Sequence, residues 1–137
     1  MFELTLNKRC KAPVERVFAA WSSAEQLKRW FGPGEMDVPQ AEVDFKVGGH
    51  YRVVMQRHDG QQHIVAGTYH EIVPNQRLRF SWRWEGSEVT TEVDISFRPA
   101  GDQTDCTLTH RQFPDAEMRD KHREGWEGCF VKLVALA

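Results

Sequence analysis

The stretch EGWEGCFVKLVALA, Glu124 to Ala137, decides the fold. Trp126, Phe130, Leu133 and Ala137 recur at i, i+4, i+7 and i+11, which places them in one stripe along a helix. The stretch reads as the back half of a single long C-terminal helix. Asp115, just after Phe113-Pro114, is a candidate N-cap for its start. Gly125 and Gly128 each cost the helix about 1 kcal/mol relative to Ala. Close approach of a strand, packing beside the Trp126 ring, or a kink at a cavity is expected to offset that. The apolar stripe needs a surface to close on.

The upstream chain supplies one. Phe2 to Cys10 alternates apolar and polar and predicts a first strand. Ala12-Pro13 opens a helix with Val14, Val17, Phe18 and Trp21 on its buried face. Ser22 with Glu25 reads as a capping box that starts a second short helix, with Leu27, Trp30 and Phe31 on its apolar side. Gly32-Pro33-Gly34 stops it, and the Trp30-Phe31 pair is expected at a rim of the fold. From Met36 onward the apolar period changes from a helix's to a strand's. Ala41, Val43, Phe45 and Val47 alternate with polar neighbours, Gly48-Gly49 breaks the run, and Tyr51, Val53 and Met55 resume it. Asp59-Gly60 signals a hairpin. A strand from His63 to Val73 follows, then Leu78, Phe80, Trp82 and Trp84 on one face, then Val89, Thr91, Val93, Ile95 and Phe97, then Cys106, Leu108 and His110. A turn centred on Gly86-Ser87 sets Phe80 against Val93, Leu78 against Ile95 and Arg79 against Asp94. Apolar then meets apolar and charge meets opposite charge. A strand, a helical pair, about six further strands in hairpin order and a long helix make an α+β domain.

Bulk properties narrow the function classes. With 137 residues, 40% apolar and 28% charged, the chain reads as a single globular domain spanning residues 1–137. A formal charge of −2 gives no electrostatic reason to bind nucleic acid or an anionic membrane. No apolar run approaches the roughly 20 residues of a membrane span. The opening MFELTLNKRCKAP has no long apolar core, so no secretory signal is expected there. Cys10, Cys106 and Cys129 form an odd set without C-x-x-C spacing, which fits a reducing, cytoplasmic setting. Five Trp and eight Phe supply large rigid walls, for a core or for a pocket.

Six stretches together resemble the START-like (SRPBCC) superfamily, and within it the group named after the C-terminal domain of the activator of heat-shock protein 90 ATPase. They are APVERVFAAW (Ala12–Trp21), LKRWFGP (Leu27–Pro33), EVDFKVGGHYRVVM (Glu42–Met55), GTYHEIVPNQRLRFSWRW (Gly67–Trp84), TLTHRQFP (Thr107–Pro114) and REGWEGCFVKL (Arg123–Leu133). The resemblance implies a helix-grip fold: a curved antiparallel sheet of about six to seven strands around the C-terminal helix, with a hydrophobic cavity between them. It also implies a range of roles, from small-molecule binding and polyketide cyclisation to resistance and co-chaperone activity. The co-chaperone proper carries an additional N-terminal domain, for which this chain leaves no room. Cys129-Phe130 departs from the smaller or aliphatic residues of the pattern and is expected to narrow the cavity.

The expected ligand is an apolar, aromatic small molecule, and Tyr51, Met55, Tyr69, Trp82, Trp84, His110, Trp126 and Phe130 are its expected contacts. The same aromatic stripe also serves simply as core. His110, ending the inner face of the last strand, could touch that ligand. It could also act as the acid or base of a cyclase- or hydrolase-type enzyme, although the spacing places no carboxylate beside it. A heat-shock protein 90-type chaperone is the alternative partner. His50, His58, His63 and His70 show no metal-ligand spacing, and read as solvated hairpin residues. No cofactor or metal is expected. The stripe of Arg77, Arg79 and Arg83 faces Glu92 and Asp94 across strands, as ion pairs would. Cys129 among apolar neighbours reads as inert packing. A monomer or weak homodimer is expected.

Overall fold

The computed structural model describes residues 1–136, so the place of Ala137 in the helical stripe lies outside the described residues. Strand β1 (Phe2–Cys10) leads into short helices α1 (Val14–Ala19) and α2 (Ala24–Leu27). Strands β2 (Asp37–Val43), β3 (His50–Gln56), β4 (Gln62–Val73), β5 (Arg77–Trp84), β6 (Thr90–Ala100) and β7 (Gln103–Phe113) come next, and helix α3 (Ala116–Leu136) closes the chain. The described strands form one seven-stranded antiparallel sheet in the order β1-β7-β6-β5-β4-β3-β2. Strands β2 to β7 thus lie side by side in chain order, and β1 returns to pair with β7.

The β5–β6 register pairs Leu78 with Ile95, Arg79 with Asp94 and Phe80 with Val93, as the turn at Gly86-Ser87 requires. The outer-face charges pair on the diagonal. Asp94 is bonded by Arg77, which also reaches Glu71 at 3.2 Å, while Glu92 takes His70 at 2.9 Å. Arg83 donates to the Ser87 carbonyl at 2.6 Å across its own turn.

Two local readings are corrected. The cap of α2 is Ser23, whose hydroxyl accepts from the Gln26 amide at 3.2 Å; the Ser22 hydroxyl instead donates back to the Ala19 carbonyl at 2.7 Å. Ser22 is still bound into the end of α1, so it cannot cap α2. Trp30 and Phe31 do not sit at a rim. Both are buried, and the Trp30 indole N–H donates to the Ala20 carbonyl at 2.9 Å, folding the α2 exit back under the helical pair. Asp115 does cap α3, accepting from the Met118 amide at 2.8 Å.

At the end of β7 the sheet carries a bulge. The β1 partners shift from Leu4↔His110 to Phe2↔Phe113, and Gln112 takes a left-handed φ of 73°. The extra residue turns Phe113 inward although it lies an odd number of positions from His110. Both are fully buried, their rings 4.4 Å apart. Helix α3 packs over β1 and β7, and Trp126, Cys129, Phe130 and Leu133 form its buried face. The β3–β5 side of the sheet is left to be covered by the segment around Trp21, Leu27, Trp30 and Phe31.

Candidate functional site

That division of cover leaves a gap. Between α3, the ends of β3–β5 and the loop after α2 lies a cavity of about 340 Å³. Phe31, Pro33 and Met36 form the loop wall, Met55, His63, Trp82 and Trp84 the sheet wall, and Lys121, His122, Gly125, Trp126 and Cys129 the helix wall. The surface is overwhelmingly apolar. Exposed Lys121 and half-buried Pro33 and Met36 stand at the edges of this set.

Of the expected contacts, Met55, Trp82, Trp84 and Trp126 meet at this cavity. Tyr51, Tyr69, Phe130 and His110 do not line it, and each for an identifiable reason. Tyr51 and Tyr69 lie further along the sheet, packed on Phe80 with ring separations of 5.5 and 6.0 Å. The void that they share there is about 10 Å³, at the lower limit for one water. Phe130 turns toward Trp21 in the core, 6.3 Å away. His110 is fully buried behind the Trp82 and Trp126 rings, at 5.3 and 6.3 Å. His63, read as a solvated hairpin residue, stands opposite Met55 across β3–β4 and so shares the inner face with it. It is half-buried against the edge of Trp84. Cys129 reaches the cavity, while Phe130, expected to narrow it together with Cys129, does not line it.

The polar groups of the wall are mostly committed. The Trp126 indole N–H donates to His110 Nδ1 at 3.0 Å. His110 Nε2 faces the Thr91 hydroxyl at 2.7 Å, and that hydroxyl donates to the Trp82 carbonyl at 3.2 Å. Since Nδ1 must accept, Nε2 carries the proton and donates to Thr91. Burial first, and then the neighbouring His122, hold the His110 pKa well below its ordinary value. His122 has the opposite tautomer. Its Nε2 accepts from the Trp84 indole at 2.8 Å, so its Nδ1 donates to the Met118 carbonyl at 2.8 Å. Burial lowers its pKa too, against the opposing effect of the Met118 carbonyl. Both imidazoles are therefore neutral struts for tryptophans. With both ring nitrogens engaged, His110 has no free lone pair for proton abstraction. The sequence places Thr91 only as one residue of its strand's inner face and does not single out His122, for which the i, i+4 spacing to Trp126 is the available signal.

The loop wall is tied to α3. Cys129 Sγ donates to the Phe31 carbonyl at 2.7 Å, and burial pushes its thiol pKa up to about 12. Lys132 Nζ donates to the Met36 carbonyl at 2.9 Å and also to the Gly32 carbonyl. A Cβ on Gly128 would lie 2.9 Å from Pro33 Cβ, so the missing side chain lets the loop approach. Gly125 differs: a Cβ there would meet nothing within 4 Å, because it would project into the open cavity side. The close approach expected of these glycines thus holds for Gly128 alone, with a loop rather than a strand. Among the described residues, no group of three or more His, Cys, Asp and Glu could hold a metal ion, and no helix is long and apolar enough to cross a membrane.

A curved antiparallel sheet gripping a C-terminal helix, with an aromatic cavity between them, defines a helix-grip, START-like domain. The family described as activator of Hsp90 ATPase homolog 1-like protein matches residues 11–137, and the chain belongs to it. Among solved structures, protein CV1439 from Chromobacterium violaceum is 28% identical with a TM-score of 0.88, over 100% of this chain and 98% of that one. The AHSA1 (SPO3351) protein from Silicibacter pomeroyi is 29% identical with a TM-score of 0.86, over 98% of this chain and 96% of that one. An AHSA1-like protein from Aeromonas hydrophila, 20% identical with a TM-score of 0.81 over 98% and 90%, shares the fold. No curated protein matches the chain.

Proposed function

We propose that this protein is a binding module for a small, flat, apolar molecule held in the cavity between α3 and the β3–β5 end of the sheet. The observation that carries this reading is the wall itself: Phe31, Trp82, Trp84 and Trp126 surround about 340 Å³ with almost no polar surface. That volume lies at the low end of the roughly 300–1,000 Å³ of small-molecule sites, and suits two fused rings. Ring faces and edges at several angles favour an aromatic guest over an aliphatic chain. The test is tryptophan fluorescence during titration with naphthalene. Saturable quenching with one-to-one stoichiometry is expected; a linear, unsaturating response up to the solubility limit would remove the basis of the reading.

A catalytic role for His110 has less support, since both its nitrogens are engaged. The chaperone-directed reading rests on the family membership. It requires a complex with a heat-shock protein 90-type chaperone and stimulation of its ATPase, both measurable with the purified proteins.

A further inference from the structure

We propose that Cys10 and Cys106 form a reversible disulfide in the folded protein, latching edge strand β1 to β7. The two lie on adjacent strands. Cys10 stands opposite Thr104 and Cys106 opposite Lys8, so the cysteines sit diagonally on the same face of the sheet. That face is the core, and both side chains are fully buried. Their sulfurs are in contact and share a hydrogen bond. The third cysteine is engaged elsewhere, since Cys129 Sγ donates to the Phe31 carbonyl at 2.7 Å. The odd cysteine set thus resolves into a touching pair and one separate thiol.

Two thiols in contact have a chemistry that one buried thiol lacks. The Cys106 S–H stabilises the Cys10 thiolate and holds the Cys10 pKa below its ordinary value, against the opposing effect of burial. The same bond first, and burial second, keep the proton on Cys106. The pair therefore has an attacking sulfur and a resolving one. A peroxide is the oxidant. The Cys10 thiolate attacks one peroxide oxygen, the O–O bond breaks and hydroxide leaves, giving a sulfenic acid at Cys10. The Cys106 sulfur then attacks the Cys10 sulfur, the S–O bond breaks, and water leaves with the Cys106 proton. The two sulfurs are oxidised to one disulfide, and the peroxide is reduced to hydroxide and water.

Access comes from position. Strand β1 is an outer strand of the sheet, and Cys10 is its last residue, followed by exposed Lys11. Opening a strand end at a sheet edge costs less than opening the sheet interior. It also permits the small backbone shift that turns sulfur contact into a bond. The effect reaches α3, because Lys8 of β1 bonds Glu127 of that helix at 2.6 Å. In the oxidised form the edge that supports α3 is tied covalently to the rest of the sheet.

The test treats the native protein with hydrogen peroxide at neutral pH, blocks remaining thiols, and maps an unreduced digest by mass spectrometry. A peptide pair joining Cys10 to Cys106 is expected. Free thiols counted in denaturant should fall from three to one and return to three with dithiothreitol. The urea midpoint of the bridged form should rise, since the link constrains the unfolded chain. Cys129→Ser should keep the link. Cys106→Ala should abolish it and leave Cys10 as a sulfenic acid that dimedone labels; the wild-type map decides the matter even if that variant does not fold. Thiols left unmodified in the folded protein, a link that forms only in urea, or a link containing Cys129 would each overturn the proposal. A bridged form that unfolds at the same or a lower urea concentration would overturn the latch.

Discussion

The indole of Trp126 and the imidazole of His110 share one hydrogen bond, 3.0 Å long, in which the indole donates and Nδ1 accepts. Because the ring's other nitrogen donates to Thr91, protonating His110 would put an N–H against an N–H. His122 faces the same conflict with Trp84. The two rings lie 5.3 Å apart, so charge on one also opposes charge on the other.

Acid should therefore weaken the fold. Both histidines have folded-state pKa values below the ordinary 6.5. The unfolded chain binds more protons than the folded one below that pH, and stability falls as pH drops through it. Above about pH 7.5 both states are neutral and this contribution is flat. Each histidine adds a slope of up to about 1.4 kcal/mol per pH unit in the acid window. Urea unfolding between about pH 5 and pH 8 should show that decline, and His110→Phe should remove about half of it. The variant also orphans the Trp126 N–H, lowering stability at neutral pH by about 1–3 kcal/mol. An unchanged acid slope in His110→Phe would mean that His110 titrates alike in the folded and unfolded chain.

Gly125 and Gly128, three residues apart on α3, should respond oppositely to the same change. Ala at either relieves the intrinsic helix penalty by about 1 kcal/mol. At Gly125 the new methyl meets open space, so thermal melting should show a gain of that size. At Gly128 it meets Pro33 Cβ at 2.9 Å and must displace the loop, so a net loss of about 1–2 kcal/mol is expected. Gly125→Leu extends the argument to function. It should fold at least as stably as the wild type while abolishing saturable naphthalene binding, because the side chain occupies the cavity. Retained binding in Gly125→Leu would place the ligand elsewhere.

The wall that Gly128 admits is held by Lys132, whose ammonium bonds the carbonyls of Gly32 and Met36. Lys132→Met keeps the apolar stem and strands both carbonyls. A loss of about 1.5–3 kcal/mol in chemical denaturation is expected, with weaker ligand binding because Phe31, Pro33 and Met36 lose their anchor. Hydrogen exchange should rise first in the segment from Phe31 to Met36. Protection unchanged there would show that Cys129 and Gly128 hold the loop without the lysine.

Much of this fold was legible because sheets and helices write periods into sequence. The alternation Leu78, Phe80, Trp82, Trp84 against Val93 and Ile95 gave the β5–β6 register to the residue, and Asp115 announced α3. What failed was whatever lacks a period. The bulge at Gln112 inverts facing after His110, and only a backbone angle reveals it. The loop from Phe31 to Met36 folds inward because α3 pulls on its carbonyls, a contact made across 96 or more positions of sequence. Alternation told which face Tyr51 occupies, and the helical stripe told the same of Phe130, but neither told where along that face the void falls. That depends on α3 covering β1 and β7 and leaving β3–β5 to the loop, a matter of helix placement rather than of pattern.

Gly67 marks a close backbone approach in the sheet. A Cβ there would stand 1.9 Å from the Ser81 carbonyl oxygen and 2.6 Å from the Tyr51 ring. The β4–β5 ladder breaks at this point, between Ala66↔Arg83 and Tyr69↔Phe80, and the Thr68 amide turns to the Ser81 hydroxyl at 2.9 Å. The Ser81 carbonyl is instead taken by the Tyr51 hydroxyl at 2.7 Å. Burial holds the Tyr51 pKa well above the usual phenol range, so that hydroxyl stays a donor into alkaline solution. Gly67→Ala must push the Ser81 carbonyl away and with it the Tyr51 bond, so a loss of about 3 kcal/mol is expected. Tyr51→Phe alone should cost about 1–2 kcal/mol. Because both changes break the same bond, the double variant should be less destabilised than the sum of the two. Strict additivity in urea denaturation would show that the glycine and the tyrosine act on β4–β5 independently.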